Sequence, residues 1–193
     1  MIRLGVLGSS RGTDLQAIIE SIKNKSLNAE ISIVISNIKN AFILERARTN
    51  NIKNKYISHK NKTREEFDAE ISTLLVKNKI DLILLIGFMR ILSSNFCIFW
   101  TEKLLNVHPS LLPLYAGGMD VNVHEEVLKN KDKVTGCTIH FVTEDLDRGP
   151  IILQKKCDVD ETETVKSLKN KVQKLEGEAF IEAIKLIGNN NAN

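Results

Sequence analysis

The sequence predicts an α/β fold with an open, largely parallel, twisted sheet and helices on both faces. Short apolar runs of strand length alternate along the chain with longer stretches of helical period. The run from Ile80 to Ile86 is apolar except at Asp81, which is typical of a strand covered on both faces in a parallel sheet. No repeat and no linker rich in proline or glycine interrupts the pattern, so we expect residues 1–193 to form one domain.

The first sixty residues alternate regularly between the two kinds of element. We predict, in order, a strand at Leu4–Leu7, a helix with Leu15, Ile18, Ile19 and Ile22 on one face, a strand at Ile31–Ile35, a helix at Phe42–Arg48 and a short strand at Lys55–Ile57. The strand at Ile31–Ile35 is rich in β-branched residues, which favour the extended conformation. A strand, a helix and a further strand in succession favour parallel pairing of the two strands.

The third helix has the clearest start signal. Thr63 and Glu66 are spaced as in a capping box, in which a hydroxyl and a carboxylate satisfy free amide groups at a helix start. The apolar face that follows consists of Phe67, Ile71, Leu74 and Leu75.

The second half of the chain continues with strands and a long final helix. We predict strands at Ile80–Ile86 and Leu104–Val107, a short helix at Val121–Leu128, a strand pair at Thr138–Val142 and Ile151–Gln154, and a last helix with Val165, Leu168, Val172, Leu175 and Ala179 on one face. The turn Asp147–Pro150 joins the strand pair. The polar tail Gly188–Asn193 is expected to be frayed.

Composition excludes several classes of protein. The 27 basic and 24 acidic residues are too balanced for a nucleic-acid binder, and the longest apolar stretch, Leu82–Met89, is too short for a membrane span. The segment Met1–Gly8 is too short for a signal peptide. The three cysteines lack the spacing of a metal or redox site, so we expect reduced thiols, no metal and a cytoplasmic protein.

Ligands bind beyond the carboxyl ends of the strands in sheets of this kind. The first such segment, Gly8–Asp14, joins a strand to a helix, so its amides point toward an anion at the helix N-terminus. The alternative is a plain turn between strand and helix. The glycine spacing fits neither a P-loop nor a dinucleotide fingerprint.

Two further strand ends carry polar groups. In Gly87–Leu92 the apolar strand runs into Arg90, a charge that we expect to have no packing role at this position. In Asn106–Pro113 the side chains of Asn106 and His108 lie two residues apart and therefore on the same side of a strand. Two polar groups at the end of a buried strand indicate a functional site.

The turn that begins at Asp147 supplies the remaining carboxylate. In a tight turn such a group can bond its own backbone, or it can contact a histidine from elsewhere in the chain. The sequence leaves both alternatives open at this point.

Taken together, these motifs resemble those of the folate-dependent phosphoribosylglycinamide formyltransferase family, in order and over nearly the whole chain. The matching segments are Gly12–Gln16, Gly87–Leu92, Asn106–Pro113, His140–Val142, Asp147, Gly149–Pro150 and Gln154. The resemblance implies a Rossmann-like formyltransferase domain that moves a formyl group from 10-formyltetrahydrofolate, its co-substrate, to glycinamide ribonucleotide without a metal.

The resemblance also implies roles for the polar residues. Asn106 would hydrogen-bond the formyl oxygen, His108 would act as the protonated acid, and Asp147 would hold His108 and raise its pKa, because a nearby carboxylate favours the charged imidazole. The amides of Gly12, Thr13 and Asp14 would bind the substrate phosphate. Gln173 and Glu176 fall where the family contacts the ribose phosphate. The folate would be bound by Arg64, Met89, Arg90, Ile91, Leu92, Asn106 and His140.

The chain departs from the family pattern at two places. The family usually has Asn where this chain has Asp14, and we expect this carboxylate to turn away from the phosphate and cap the first helix. The segment Tyr115–His124 is longer than the corresponding loop of the family, and we expect it to be mobile and to become ordered on binding.

Related activities differ in the domains that they require. Methionyl-tRNA formyltransferase adds a C-terminal RNA-binding domain and formyltetrahydrofolate hydrolase adds an N-terminal regulatory domain, neither of which we expect here. A folate-binding module without catalysis is a third alternative, which Asn106, His108 and Asp147 disfavour. We expect small-molecule substrates and either a monomer or a homodimer.

Overall fold

The computed structural model describes residues 1–118 and 121–190, which contain seven strands and six helices. The strands are β1 Ile2–Leu7, β2 Ala29–Ser36, β3 Asn54–Tyr56, β4 Leu82–Leu85, β5 Leu104–His108, β6 Val134–Phe141 and β7 Ile151–Asp158. The helices are α1 Thr13–Lys23, α2 Phe42–Thr49, α3 Arg64–Lys77, α4 Ser94–Phe99, α5 Val121–Lys129 and α6 Val165–Asn190.

All seven strands form one sheet in the order β3-β2-β1-β4-β5-β6-β7. The first five strands pair in parallel, β6 runs antiparallel to β5, and β7 runs antiparallel to β6. The predicted α/β class with a largely parallel sheet is therefore confirmed, as is the predicted strand pair.

The strand order reverses beside β1. From β1 the chain first builds outward through β2 and β3, and it then returns to place β4 and β5 on the other side. At such a reversal the connections leave the sheet in opposite directions and open a crevice beyond the strand ends. The turns after β1, β4 and β5 meet at this edge.

Apolar side chains pack on both faces of the sheet. One core cluster joins the sheet to α1, α2, α5 and α6 and includes Ile18, Ile43, Val127 and Phe180. The other joins it to α3 and α4 and includes Phe67, Ile71, Phe96 and Trp100. Helices thus cover both faces, and the strands between them can be apolar on both sides.

The capping box predicted for α3 is present. The Thr63 side chain accepts a hydrogen bond from Glu66 N at 3.1 Å, and the Glu66 carboxylate accepts one from Thr63 N at 2.8 Å. This reciprocal pair fixes the start of α3, so the next residue, Arg64, is its first residue.

Some elements differ from the sequence prediction. Helix α4 was not predicted, because six residues are too short to show a helical period, although Ser93 caps it by accepting from Phe96 N. Strand β6 begins at Val134, four residues before the predicted start. Helix α6 continues through Gly188 to Asn190, so the expectation of fraying there is wrong for these residues, and residues 191–193 lie outside the described residues.

Within residues 1–118 and 121–190, no helix combines the length and the apolar character needed to cross a bilayer.

Candidate active site

A buried polar cluster lies where β5 and β6 pair. Asn106 and His108 of β5 stand opposite His140 and Thr138 of β6. Asn106 Nδ2 lies 3.2 Å from His140 Nε2, and His108 Nδ1 lies 3.3 Å from Asp147 Oδ2. The side chains of Asn106 and His108 therefore enter one cluster, as their spacing predicted.

Asp147 links the two histidines of this cluster. Its Oδ1 lies 3.6 Å from His140 Nε2, and its Oδ2 accepts a hydrogen bond from Gly117 N at 2.9 Å. Burial alone would raise the pKa of Asp147, but the contact with His140, the hydrogen bond from Gly117 N and the charge of nearby imidazoles outweigh it and leave this pKa lowered. Of the two alternatives left open by the sequence, the structure shows the contact with histidine.

The expected rise in the pKa of His108 is wrong for this structure. Burial lowers the pKa of this imidazole more than the Asp147 carboxylate and the Tyr115 carbonyl raise it, so the net direction is downward. Both ring nitrogens nevertheless face acceptors, since Nε2 lies 3.0 Å from Tyr115 O. A protonated ring would donate to both, so hydrogen bonding favours the cation while desolvation opposes it.

His140 is oriented by the backbone carbonyl of the next residue, Phe141. Its Nδ1 lies 2.8 Å from Phe141 O, a pure acceptor, so the neutral ring carries its hydrogen on Nδ1. The bare Nε2 then accepts from Asn106 Nδ2, which fixes the Asn106 amide. One hydrogen of that amide remains to donate elsewhere.

The segment after His108 is held by a buried hydroxyl. Thr138 Oγ1 donates to Ser110 O at 2.7 Å and accepts from Leu112 N at 3.0 Å. Gln154 Nε2 donates to Thr138 Oγ1 and to Leu112 O, each at 2.9 Å. These bonds satisfy backbone groups of an irregular segment away from water and fix its path beside the cluster.

The turn after β1 has the form of an anion site. Gly12 caps α1 in the left-handed conformation, with φ of 67°, and Ile43 packs so closely that a Cβ on Gly12 would lie 2.4 Å from its Cγ1. Thr13 and Asp14 are the first residues of α1, whose initial amides have no partner within the helix. These amides are available to an anion at the edge of the sheet.

Asp14 does not cap α1, contrary to expectation. Gly12 occupies the cap position without any side-chain hydrogen bond, and Asp14 lies too far into the helix to cap it. The Asp14 side chain is buried instead, its Oδ1 has no hydrogen-bond partner, and burial raises its pKa to about 7.

The last helix crosses α1 beside this turn. A Cβ on Gly177 would lie 2.8 Å from Ala17 Cβ, so the two helices approach closely there. Gln173 and Glu176 precede this crossing on α6 and are half-buried. The structure thus brings Glu176 toward the first turn of α1, where the resemblance implied it.

Arg46, which no sequence motif indicated, supports the same turn. Its Nε donates to Arg11 O at 2.8 Å, its Nη1 donates to Gln16 Oε1 at 3.2 Å, and its guanidinium lies 5.0 Å from the centre of the Phe42 ring. Arg11 stacks on that ring at 5.9 Å. No local pattern reveals the bonds to Arg11 and Gln16, because they join residues 35 and 30 positions apart in sequence.

Ser9 was also missed. Its Oγ donates to Asn37 Oδ1 at 2.6 Å and accepts from Met89 N at 2.9 Å. A single hydroxyl therefore ties the ends of β1, β2 and β4 together.

Not all of the residues expected to bind folate have side chains that a ligand could contact. Met89 and Ile91 are about half exposed, whereas Leu92 is buried in the core and can offer only its backbone. Arg90 lies over the Phe67 ring at 4.9 Å, so the expectation that it has no packing role is wrong. Arg64 is exposed at the start of α3, on the side of the Asp68 carboxylate.

The lengthened segment Tyr115–His124 is described except for Met119 and Asp120, which lie outside the described residues. Tyr115 and Gly117 contact His108 and Asp147 through their backbones, and the Tyr115 hydroxyl donates to Asp132 Oδ2 at 2.5 Å. His124 is buried in α5. The expected ordering of this segment on binding stays a prediction.

Among residues 1–118 and 121–190, no group of three or more His, Cys, Asp or Glu side chains is arranged to hold a metal ion.

Known proteins are similar to this chain over most of its length. The formyl transferase family model matches residues 2–184. Trifunctional purine biosynthetic protein adenosine-3 of Homo sapiens is 44% identical over 186 residues, which cover 96% of this chain but only 18% of that protein. Phosphoribosylglycinamide formyltransferase of Escherichia coli (strain K12) is 42% identical over 155 residues, which cover 80% of this chain and 72% of that protein.

A solved structure shows the same fold. The crystal structure of glycinamide ribonucleotide transformylase 1 from Symbiobacterium toebii matches with a TM-score of 0.93 and 36% identity, over 98% of this chain and 89% of that one. The resemblance drawn from the motifs is confirmed by these matches. The chain belongs to the formyl transferase family, among relatives that include the phosphoribosylglycinamide formyltransferases.

Proposed function

We propose that this chain transfers the formyl group of 10-formyltetrahydrofolate to the amine of 5-phosphoribosylglycinamide in de novo purine synthesis. The products are formylglycinamide ribonucleotide and tetrahydrofolate. The observation that carries the proposal is the cluster of Asn106, His108 and Asp147 at the end of β5. It lies at the same edge of the sheet as the Gly12 turn after β1, so a phosphate and a reacting amine could be held together there.

The cluster suits stabilisation of an oxyanion. When the amine attacks the formyl carbon, the formyl oxygen gains negative charge. The free hydrogen of Asn106 Nδ2 and His108 Nε2 are the donors available to it, and one such donor is worth about 10²–10³ in rate. Because His108 Nε2 contacts Tyr115 O in this structure, the formyl oxygen would take the place of that carbonyl.

The transfer also needs a proton on the departing folate nitrogen. The new C–N bond forms at the amine, which loses a proton, and the old C–N bond breaks as the folate nitrogen gains one. His108 is positioned to carry that proton. Its lowered pKa makes the cation a stronger acid, while Asp147, whose pKa is also lowered, remains ionised and stabilises the cation.

We assign the remaining contacts by position. The amides of Gly12, Thr13 and Asp14 bind the substrate phosphate, and Gln173 and Glu176 contact the ribose phosphate. The folate lies along the edge formed by Arg64, Met89, Arg90, Ile91, Leu92, Asn106 and His140. The exposed apolar groups of Met89 and Ile91 and the two guanidiniums suit a ligand with a flat ring and an anionic tail.

We further propose that residues 1–193 act as one formyltransferase domain in the cytoplasm, as a monomer or a homodimer, on small molecules and without nucleic acid, membrane or metal.

The test mixes the protein with 10-formyltetrahydrofolate, with and without glycinamide ribonucleotide, and follows folate absorbance. We expect turnover only with the amine. Turnover without it would indicate the hydrolase, and no turnover in either case would indicate a binding module.

Two substitutions test whether the reaction depends on His108 and Asp147. His108→Ala and Asp147→Ala should each lose most of the activity while staying folded, and Asp145→Ala, an exposed carboxylate in the same turn, serves as the control. Near-normal turnover by either purified cluster variant would overturn the assignment.

A further inference from the structure

The backbone of Tyr115 and Gly117 bonds directly to the catalytic cluster. Tyr115 O lies 3.0 Å from His108 Nε2, and Gly117 N donates to Asp147 Oδ2 at 2.9 Å. Gly117 is exposed, whereas the side chains of His108 and Asp147 are only 3% and 7% exposed. Each of these two catalytic side chains therefore makes a hydrogen bond to the backbone of the protein itself.

These two contacts compete with the groups that the transfer needs. His108 Nδ1 faces Asp147, so Nε2 is the ring nitrogen left to donate to a formyl oxygen, and Tyr115 O occupies it. Asp147 Oδ2 lies 3.3 Å from His108 Nδ1 but also accepts from Gly117 N, so this oxygen is shared between two partners. Release of the segment would free Nε2 and leave the oxygen to His108 alone.

The backbone of this segment needs support from elsewhere. Tyr115 has a φ of 59°, in the left-handed region that is unfavourable for a residue with a Cβ. A Cβ placed on Gly117 would have no atom of the described residues within 4 Å, apart from its own chain neighbours, so this part of the segment packs against little. Backbone preference and close packing at Gly117 therefore do not explain why the segment stays against the cluster.

The side chain of Tyr115 supplies a contact that does. Its hydroxyl donates to Asp132 Oδ2 at 2.5 Å and accepts from Asn130 Nδ2 at 2.8 Å, both in the turn that follows α5. The ring packs against the core cluster that includes Val127 of α5. Asp132 N bonds to Val127 O, so the turn that receives the hydroxyl is itself fixed to α5. The hydroxyl thus anchors the segment at a point outside the catalytic cluster.

We propose that Tyr115 is a positioning residue, whose hydroxyl anchor holds its own carbonyl against His108 and blocks the cluster until the formyl donor displaces it. The anchor then sets the fraction of molecules in which His108 Nε2 is free. The apparent affinity for the donor falls in proportion to that fraction. This inference rests on the proposed function, because it takes 10-formyltetrahydrofolate as the competing ligand.

The block can be reversed without leaving a buried group unpaired. Tyr115 O also accepts from Gly118 N at 3.1 Å, so it keeps one hydrogen bond when His108 is released. Gly117 is exposed, so water can bond to its amide. The formyl oxygen takes over the bond from His108 Nε2, and the exchange costs little because each lost bond is replaced.

Tyr115→Phe removes the hydroxyl but keeps the ring and its packing. Loss of a hydrogen bond to a carboxylate shifts such an equilibrium about tenfold or more, so the KM for 10-formyltetrahydrofolate should fall about tenfold with kcat nearly unchanged. Asp132→Ala removes the acceptor of the same bond and should lower this KM in the same way. A hydroxyl that served only stability would not lower the KM.

Tyr56→Phe is the matched control. It removes the hydroxyl of the other tyrosine in the chain, which lies on β3 at an edge of the sheet away from β5. The KM for 10-formyltetrahydrofolate should stay at the wild-type value in this variant.

A measurement without substrates tests the block directly. Diethyl pyrocarbonate modifies accessible imidazoles, and mass spectrometry of the digested protein identifies each modified histidine. His108 is only 3% exposed, so its modification requires the segment to open. We expect His108 to be modified about tenfold faster in Tyr115→Phe than in wild type, while the half-buried His59 is modified equally in both.

The two measurements separate the possible failures. An unchanged KM together with unchanged modification of His108 in Tyr115→Phe would overturn the inference, as would a loss of kcat at an unchanged KM. If none of the proteins transfers a formyl group, the proposed function fails. The rate of His108 modification would then still show whether the hydroxyl holds the segment closed.

Discussion

Asp147 and Asp14 differ in depth and in charge preference. Asp147 is half-buried as a residue, although its side chain is only 7% exposed, and its pKa is lowered, whereas Asp14 is buried as a whole and its pKa is raised to about 7. Asp147 receives a hydrogen bond from Gly117 N and faces two imidazoles, whereas Asp14 Oδ1 has no partner. Deep burial without a full set of donors favours the neutral form of Asp14, whereas the donors around Asp147 outweigh its burial and favour the anion.

The largest effect is expected from a substitution that removes the charge of Asp147. Asp147→Asn should lower kcat about 10²–10⁴-fold, the range typical of lost proton transfer, because His108 loses the group that favours its cation. Steady-state rates with both substrates measure this. Asp145→Asn should leave kcat unchanged, and a comparably small effect of Asp147→Asn would show that the charge of Asp147 has no part in turnover.

The second effect is on stability, and here the substitution is expected to be favourable at high pH. The folded-state pKa of Asp14 lies above its unfolded value, so wild type loses stability as pH rises from 3.8 to about 7. At about 1.4 kcal/mol per pKa unit, Asp14→Asn should be more stable than wild type at pH 8 by on the order of 4 kcal/mol. Urea unfolding at pH 8 and pH 4 measures the difference, which should be small at pH 4. An equal change at both pH values would show that ionisation of Asp14 is not the cause.

The third effect tests how Thr138 supports the segment that follows His108. Thr138→Val keeps the shape of the side chain but leaves Leu112 N and Ser110 O without their buried partner, which should cost about 1–3 kcal/mol. Thr143→Val, at an exposed position, is the control for urea unfolding. Equal stability of the two variants would show that the hydroxyl is dispensable.

The smallest expected effect concerns Arg46, which supports the turn at Gly12–Asp14, the proposed phosphate site. Arg46→Lys cannot reproduce both the bond to Arg11 O and that to Gln16, and we expect the KM for glycinamide ribonucleotide to rise a few-fold with kcat nearly unchanged. The exposed Arg48→Lys should leave KM as it is. A fall in kcat without a change in KM would mean that Arg46 supports the chemistry rather than substrate binding.

Local patterns predicted the parts of the molecule that depend on local order. The apolar strand at Ile80–Ile86 and the capping box at Thr63 are set by neighbouring residues, and the structure has both features. The two-residue spacing of Asn106 and His108 likewise predicted that their side chains lie on the same side of β5, because this too depends only on local order.

The remaining features depend on distant contacts. Burial of the ring lowers the pKa of His108, and the spacing of residues in the sequence does not reveal how deeply a ring is buried. The resemblance indicated only the opposite effect, by which the Asp147 carboxylate raises this pKa. Asp14 was expected to cap α1, but the position of Gly12 and the packing of α6 put its side chain inside the molecule. The braces made by Arg46 and Ser9 likewise join segments separated in sequence.

The contacts from Tyr115 O to His108 and from Gly117 N to Asp147 have a consequence for inhibitor design. Both are made by peptide groups, so neither uses a side-chain atom, although the φ of 78° at position 117 favours glycine there. A small molecule that carries a carbonyl and an amide N–H at the spacing of these two atoms could compete for the same histidine and aspartate. Since it would exchange hydrogen bonds rather than add them, its affinity would have to come from apolar contacts, which Leu112, Pro113 and Ile151 offer in the cavity beside Asp147.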